Sequence, residues 1–475
     1  MRNFAILSTF FILVLALQSC NKKQDQENIK KDIGILVASI PKRLDTSKAI
    51  SYNTVFFTDN LFRRLFRISG NFQYSGDLAE SWTLNEKQKI ITIKLKQGQK
   101  FSNGLEIKAD QVVNSFNRIL DKKSIPAFFF QNISGLRKIN NHMLEVRYKG
   151  WHYTAFQVLT SPFWAVYFNG ITPKQETPET WITSTNYKIT KWNDREFIAQ
   201  NDKKTVKLIP VTNSDLGGVD IIAPRANWVS EKVATQLTSI NKKQWNKYLF
   251  DSFNSTIILL NNNIPLAHKK CLSKVFHSKI NKSQLLGESA NNSLIPKDMM
   301  GSLDNKLNQS FVGVETNLKP LKISFTIKRD EVFKELISKF ISHTKVCNVF
   351  IDQKEMTRKD YLGSIVRKDF DLTIMTISAL YNDPFFILSF FHSKSNFNFS
   401  GVKNKIIDKK IEQLINSETQ KELIDKVNEI LGEISNNGYA LPVATVDLKL
   451  FINKRLSIDN AELFDLVKWD HINVN

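Results

Sequence analysis

Cysteine is nearly missing from this chain, with three in 475 residues. So few cannot build the disulfide framework on which small secreted folds depend. Also missing are a Walker loop, a Gly-x-Ser-x-Gly elbow, a His-Glu-x-x-His helix and a Cys-x-x-Cys pair. The seven histidines, among them His268, His277, His343 and His392, are scattered without metal-ligand spacing. Each reads as a surface or internally satisfied histidine, and no metal or cofactor is expected. Carboxylates abound, but no spacing marks a general acid and base, so the chain is not read as an enzyme. Finger spacings, an arginine-rich tail and an RNA-binding sheet signature are missing as well. The formal charge of +20 therefore reads as solvated lysine spread along the chain, able to feel an anionic bilayer, with no nucleic-acid partner.

Past the first twenty residues no apolar run is long enough to cross a membrane. The run that exists, Phe4 to Leu17, follows Arg2 and has the length of a secretion signal's hydrophobic part. It leads through Ser19 into Cys20, which resembles a bacterial lipobox. Cys20 is therefore expected to become a lipidated N-terminus, the alternative being an ordinary signal with an incidental cysteine. Residues 1–19 are read as the signal and 20–31 as a polar, flexible tether. Cys271 and Cys347 remain; an exported chain would let them pair, but they are read as buried small hydrophobes.

With 42% hydrophobic residues, the chain can bury a large core over two or three domains. Lys89 to Leu95 alternates as a half-buried strand, with turns at Gly98 and Asn103-Gly104, and Ala109 to Leu120 carries a helical stripe. From Leu321 to Ile377 strands and helices alternate: Leu321 to Ile327, the stripe Val332 to Ile341, Val346 to Ile351, Arg358 to Val366 and Asp371 to Ile377. That order predicts βαβ crossovers and a mostly parallel sheet. Ligands collect at the carboxyl ends of such strands, which makes Ser378 to Pro384 a candidate ligand loop. Ser417 and Gln420 read as a capping box for a helix that Asn436-Asn437-Gly438 stops. Ala440 to Val446 then returns to strand character. Most aromatics, including Phe128–Phe130, Trp151, Trp164, Phe385, Phe386, Phe390 and Phe391, are expected in the core, with one or two near Asp383 lining a pocket.

The order Asp77-Leu78-Ala79-Glu80-Ser81-Trp82, an alternating strand, Gly98 to Gly104 and Ala109 to Phe116 resembles the signature of bacterial extracellular solute-binding proteins of family 5, the peptide- and nickel-binding type. Further landmarks follow in the family's order: Pro41, Leu44 and Asp45, then Tyr187 and Trp192, Gly218-Val219-Asp220, Asn261 to Ile280, Ile295-Pro296, Asp369 to Asp371, Asp383-Pro384, Ser400 to Asn404 and Leu441-Pro442. The chain departs from the family at Thr183 to Asn186, where a Gly- and Pro-containing turn is usual. It departs also at Leu380, the position at which peptide-binding members carry an aspartate for the peptide's α-amino group.

The resemblance implies an α/β two-lobe periplasmic-binding-protein fold, type II-like, with an extra subdomain on the first lobe. Lobe I is expected to combine 32–50, 166–254 and 440–475, the subdomain to span 51–165, and lobe II to span 255–439. It further implies a lipid-anchored, monomeric, extracytoplasmic subunit of the cell envelope. Such a subunit captures peptides or similar small solutes between its lobes and hands them to the permease of an ABC importer. Tyr381, Asn382, Asp383 and Asn261 are the candidate ligand-binding residues. Asp383 either takes over the missing carboxylate's role or caps the turn before Pro384. The rival from another class is a sensor or scaffold lipoprotein that kept the fold and lost the ligand site.

Overall fold

A computed structural model describes residues 31–48, 52–68, 74–150, 155–211, 219, 221–222, 245–250, 253–286, 290–296, 299, 317–329, 331–445, 448–458 and 468–475. Cys20, Trp151, Gly218 and Asp220 lie outside these residues.

Three larger sheets organise the described residues. The first has seven strands, in the order Trp245–Phe250, Leu448–Asn453, Ile221–Ile222, Lys31–Val37, Lys204–Pro210, Phe197–Gln200, Lys188–Trp192. Lys31–Val37 runs parallel to both of its neighbours, and its last five residues are buried. A strand buried on both faces has no reason to alternate, and Ile33 to Val37 does not.

The second sheet has four antiparallel strands, Ala79–Asn85, Ile90–Leu95, Met143–Tyr148 and Ile133–Asn140. Ile91, Ile93 and Leu95 fill its inner face as their alternation predicts. The helix Ala109–Leu120 forms over the expected residues and buries Val112, Phe116 and Ile119, spaced three and four apart, on one stripe. The turns before it hold Gly98 and Gly104 at φ of +71° and +87°, a backbone region that glycine enters without strain.

The third sheet runs Val349–Met356, Leu321–Lys328, Leu372–Ser378, Asn254–Leu260, Ala440–Thr445. Its first three strands are parallel, joined by the helices Lys334–His343 and Arg358–Arg367. The two strands that the alternation placed together, 321–328 and 372–378, do pair directly. Asn254–Leu260 and Ala440–Thr445 add antiparallel ladders, so the sheet is mixed.

Four expectations need correction. Ala440–Thr445, grouped with the first lobe in sequence, is fully buried and hydrogen-bonds to Asn254–Leu260 in the third sheet. The chain therefore passes between the first and third sheets from Phe250 to Asn254 and again from Thr445 to Leu448. The strand expected from Val346 begins at Val349, because Thr344–Cys347 is a tight 3-10 turn ending at Asn348 with φ +54°. Cys347 is bonded to Cys271, with Cα atoms 5.7 Å apart. That bond holds the turn against the helix Leu266–Lys279. The late helix, Gln420–Asn436, is capped by Thr419, whose side chain accepts from the Glu422 N–H, while Glu422 accepts from the Glu418 N–H. Ser417, the expected cap, is fully buried two residues earlier, where it ends the 3-10 turn Leu414–Asn416.

Candidate functional site

Strand Leu372–Ser378 delivers the candidate loop, and every residue from Ala379 to Pro384 is buried. Asp383 has extended backbone, and its carboxylate accepts the Phe385 N–H at 2.9 Å. It is thus the N-cap of the short helix Pro384–Leu388. Asn382 is buried beside it. The Tyr381 ring meets the Phe386 ring edge-on with centroids 5.5 Å apart. Its hydroxyl is buried and lacks a hydrogen-bond partner among the described residues. Burial, and then the neighbouring Asp383 carboxylate, push its pKa well up, so it stays a neutral phenol.

Asn261 is not brought to this group. The antiparallel register pairs Asn254 with Ser378 and Leu260 with Leu372. Asn261 therefore follows the opposite end of the sheet, roughly 20 Å away at ~3.3 Å per residue. There its amide donates to the Lys368 carbonyl at 3.0 Å and its Oδ1 accepts from the Asn263 N–H. Asn254 and Ser378 are the residues at the loop's own end, and their side chains are hydrogen-bonded to each other.

A cavity with about 420 Å³ of empty space, part of it open to solvent, lies against Asp383. One wall, with Phe129 and Ile133, comes from the segment that enters the four-stranded sheet. The other, with Phe385, Leu414 and Leu423, comes from the helices around the third sheet. Next to it the two parts are fastened by aromatic rings. Phe128 stacks on Phe385 at 5.7 Å and meets the His392 ring at a tilt at 4.4 Å, and Phe129 packs against Phe386 and Phe397. The Asn396 amide donates to the Ser124 carbonyl at 3.2 Å. His392 is fully buried. Its Nδ1 accepts from the Lys394 N–H and its Nε2 faces Glu412 at 3.3 Å. Burial holds its pKa below the usual value against the opposing pull of Asp408 and Glu412.

The sequence names Asp383 for this place and expects one or two aromatics near it, of which Phe385 is one; it does not place Phe129, Gln131, Asn132 or Leu423 here. All three rings of the Phe128-Phe129-Phe130 run are buried, and Phe129 and Phe130 line the cavity. Other landmarks have structural duties. The Trp192 indole donates to the Pro41 carbonyl, Asp45 pairs with Arg118 at 2.7 Å, and Asn404 caps the helix Lys405–Gln413. At the unusual turn, Ser184 accepts the Arg63 N–H and Thr185 donates to the Leu61 carbonyl, so hydroxyls dock a segment that lacks glycine and proline. Among the described residues no group of three or more His, Cys, Asp or Glu side chains could hold a metal ion.

Residues 73–203 match the sequence family described as bacterial extracellular solute-binding proteins, family 5 middle. A probable D,D-dipeptide-binding periplasmic protein, DdpA, of Escherichia coli is 31% identical over 135 residues, which is 27% of this chain and 26% of that protein. The match thus spans about a quarter of that relative. Haemophilus influenzae OppA in complex with the peptide RPPGFSPFR superposes with a TM-score of 0.78 at 14% identity, covering 94% of this chain and 100% of that one. The E. coli murein tripeptide binding protein MppA gives a TM-score of 0.79 at 16% identity, over 94% and 98% of the two chains. Its unliganded open form gives 0.61. Residues 73–203 thus carry the family 5 match, within a chain that has the two-lobe α/β fold of the superposed binding proteins.

Proposed function

We propose that this protein is the substrate-binding subunit of an ABC importer, capturing peptides or similar small solutes between its lobes. Lobe II comprises residues 254–445, and the chain crossings after Phe250 and after Thr445 form the hinge. The observation that carries this reading is the cavity against Asp383, walled from both parts of the molecule. A ligand touching both walls favours the closed arrangement over the open one, which is the thermodynamic requirement for capture by hinge closure. Its partner is the importer's permease. Tyr381, Asn382 and Asp383 are the residues of the second lobe that meet the ligand, while Asn261 organises the far end of the sheet.

Lipidation at Cys20 tethers the protein to the outer side of a membrane. Cys20→Ala should release it into the soluble fraction; persistence in membranes with Met1 intact would exclude lipidation. Capture itself is tested by mass spectrometry of small molecules retained by the natively purified protein, followed by calorimetry with the same compounds. A retained peptide that rebinds with measurable heat supports the reading. One observation favours the sensor or scaffold alternative. Leu380, buried at 8% exposure, offers no charge to an α-amino group. Absence of any retained ligand, with no heat from peptide pools, would move the assignment there.

A further inference from the structure

Among the described residues the third sheet ends at the strand Val349–Met356, whose one partner strand is Leu321–Lys328. An edge strand offers its outer N–H and C=O groups to any further strand that fits. Side chains alternate across the pleat, so Phe350, Asp352, Lys354 and Met356 share one face. Met356 packs there against the core cluster that includes Tyr361 and Ile365 of the helix Arg358–Arg367. Phe350 on the strand and Leu362 and Val366 on that helix are exposed. So are Asp352, Gln353, Lys354 and Glu355 along the strand.

The order of charges singles out one way of pairing this edge with itself. Two copies set antiparallel about Gln353 bring Asp352 opposite Lys354 twice and Phe350 opposite Met356 twice. Opposite charges and apolar pairs directly across a ladder stabilise it, and like charges destabilise it. Centring the pair on Asp352 or on Lys354 instead would set two like charges face to face. On the other face Ile351 meets Glu355, whose carboxylate is already paired with Lys334 at 2.9 Å. Charged residues usually guard a sheet edge against pairing, but here a minus and a plus flank one neutral residue. A second copy, turned by a two-fold axis, therefore complements the edge.

We propose that this protein forms a two-fold symmetric homodimer in which two Val349–Met356 strands pair antiparallel about Gln353. Each copy presents the same patch to the other, the self-complementary form of a two-fold interface. Directly opposite residues share a face, so both Arg358–Arg367 helices lie on one side of the joined sheet, with the exposed Phe350, Leu362 and Val366. The pairing departs from the monomer that the family resemblance implies, and it does not rest on the peptide-binding reading.

Sedimentation velocity of the mature soluble protein across micromolar concentrations should show a monomer–dimer equilibrium. Asp352→Lys or Lys354→Asp alone sets like charges opposite each other and should raise the dimer dissociation constant at least tenfold. Combining the two exchanges restores both opposite-charge pairs and should restore the dimer. All of these side chains are exposed, and circular dichroism checks that each variant is folded. A monomer at every concentration overturns the proposal. So does a dimer that the single exchanges leave unchanged, or one that the combined exchange fails to restore.

Discussion

Phe129 lies nearly flat on Phe386, with ring centroids 4.3 Å apart and planes 25° from parallel. One ring belongs to the segment leading into the four-stranded sheet, the other to the helix after the third sheet's last parallel strand. Phe397 covers Phe129 at 4.9 Å, so the contact between the two parts is an aromatic cluster rather than an isolated pair. Both Phe129 and Phe386 are 3% exposed. Truncating Phe386 to alanine removes a buried ring from this cluster and should cost about 3–5 kcal/mol of stability. Denaturant unfolding of the ligand-free protein measures it; a loss below about 1 kcal/mol would mean that the cluster does not hold the parts together.

Acid should unfold the protein partly through Asp77. Its carboxylate pairs with Arg63 and Arg67, both at 2.9 Å. Burial alone would raise its pKa, but the two guanidiniums and the Arg64 N–H outweigh burial and hold it below the usual carboxylate value. A carboxylate depressed in the folded state stabilises it above the unfolded pKa of about 3.9. That stability is lost as the pH falls through the folded value. Asp77→Asn should therefore destabilise by about 3–5 kcal/mol at pH 7, as breaking a buried ion pair does. The gap to the natural protein should narrow towards pH 3. Parallel stability curves for the two proteins over that range would rule out the assignment.

Gly438 ends the helix Gln420–Asn436 with φ +62°. A Cβ there would stand 2.4 Å from the Lys269 carbonyl oxygen. Gly438→Ala meets both the left-handed backbone cost of roughly 1–2 kcal/mol and a backbone clash, so its loss of stability should exceed 2 kcal/mol. A variant as stable as the natural protein would show that the turn can shift away from Lys269.

Tyr381→Phe separates fold from function at the candidate loop. Its hydroxyl is buried without a partner among the described residues, and an unsatisfied buried polar group costs about 1–3 kcal/mol. Removing it should leave the ligand-free protein equally stable or more stable by ~1 kcal/mol. If the hydroxyl serves the ligand, affinity should fall about tenfold in the same variant. Destabilisation of the free protein would instead assign the hydroxyl a structural partner.

Legibility in the sequence followed the range of the forces involved. Ile91, Ile93 and Leu95 announced their strand, and Val112, Phe116 and Ile119 their helix, because a buried face imposes its period locally. The parallel unit from Leu321 to Ser378 was legible for the same reason. The cap of the last long helix was missed by two residues because Ser417 and Thr419 are both credible caps, and only the position of Glu422 relative to the helix start decides between them. For Asp383 the sequence allows two roles; the structure shows the cap, and contact with a ligand is a proposal.

Sequence by itself determined the alternation of strands and helices, the resemblance over the middle segment and the presence of a candidate loop after strand 372–378. These rest on spacing within one stretch of chain. Tertiary structure decided which stretches meet. Register placed Asn261 at the sheet end opposite Tyr381, since antiparallel pairing sends the end of one strand to the start of the next. Packing joined Cys271 to Cys347 across 76 residues, and it brought Phe129 over Phe386. Such contacts are fixed by the free energy of the whole folded chain, in which burial of surfaces remote in sequence offsets the entropy of bringing them together, and no local pattern records that sum.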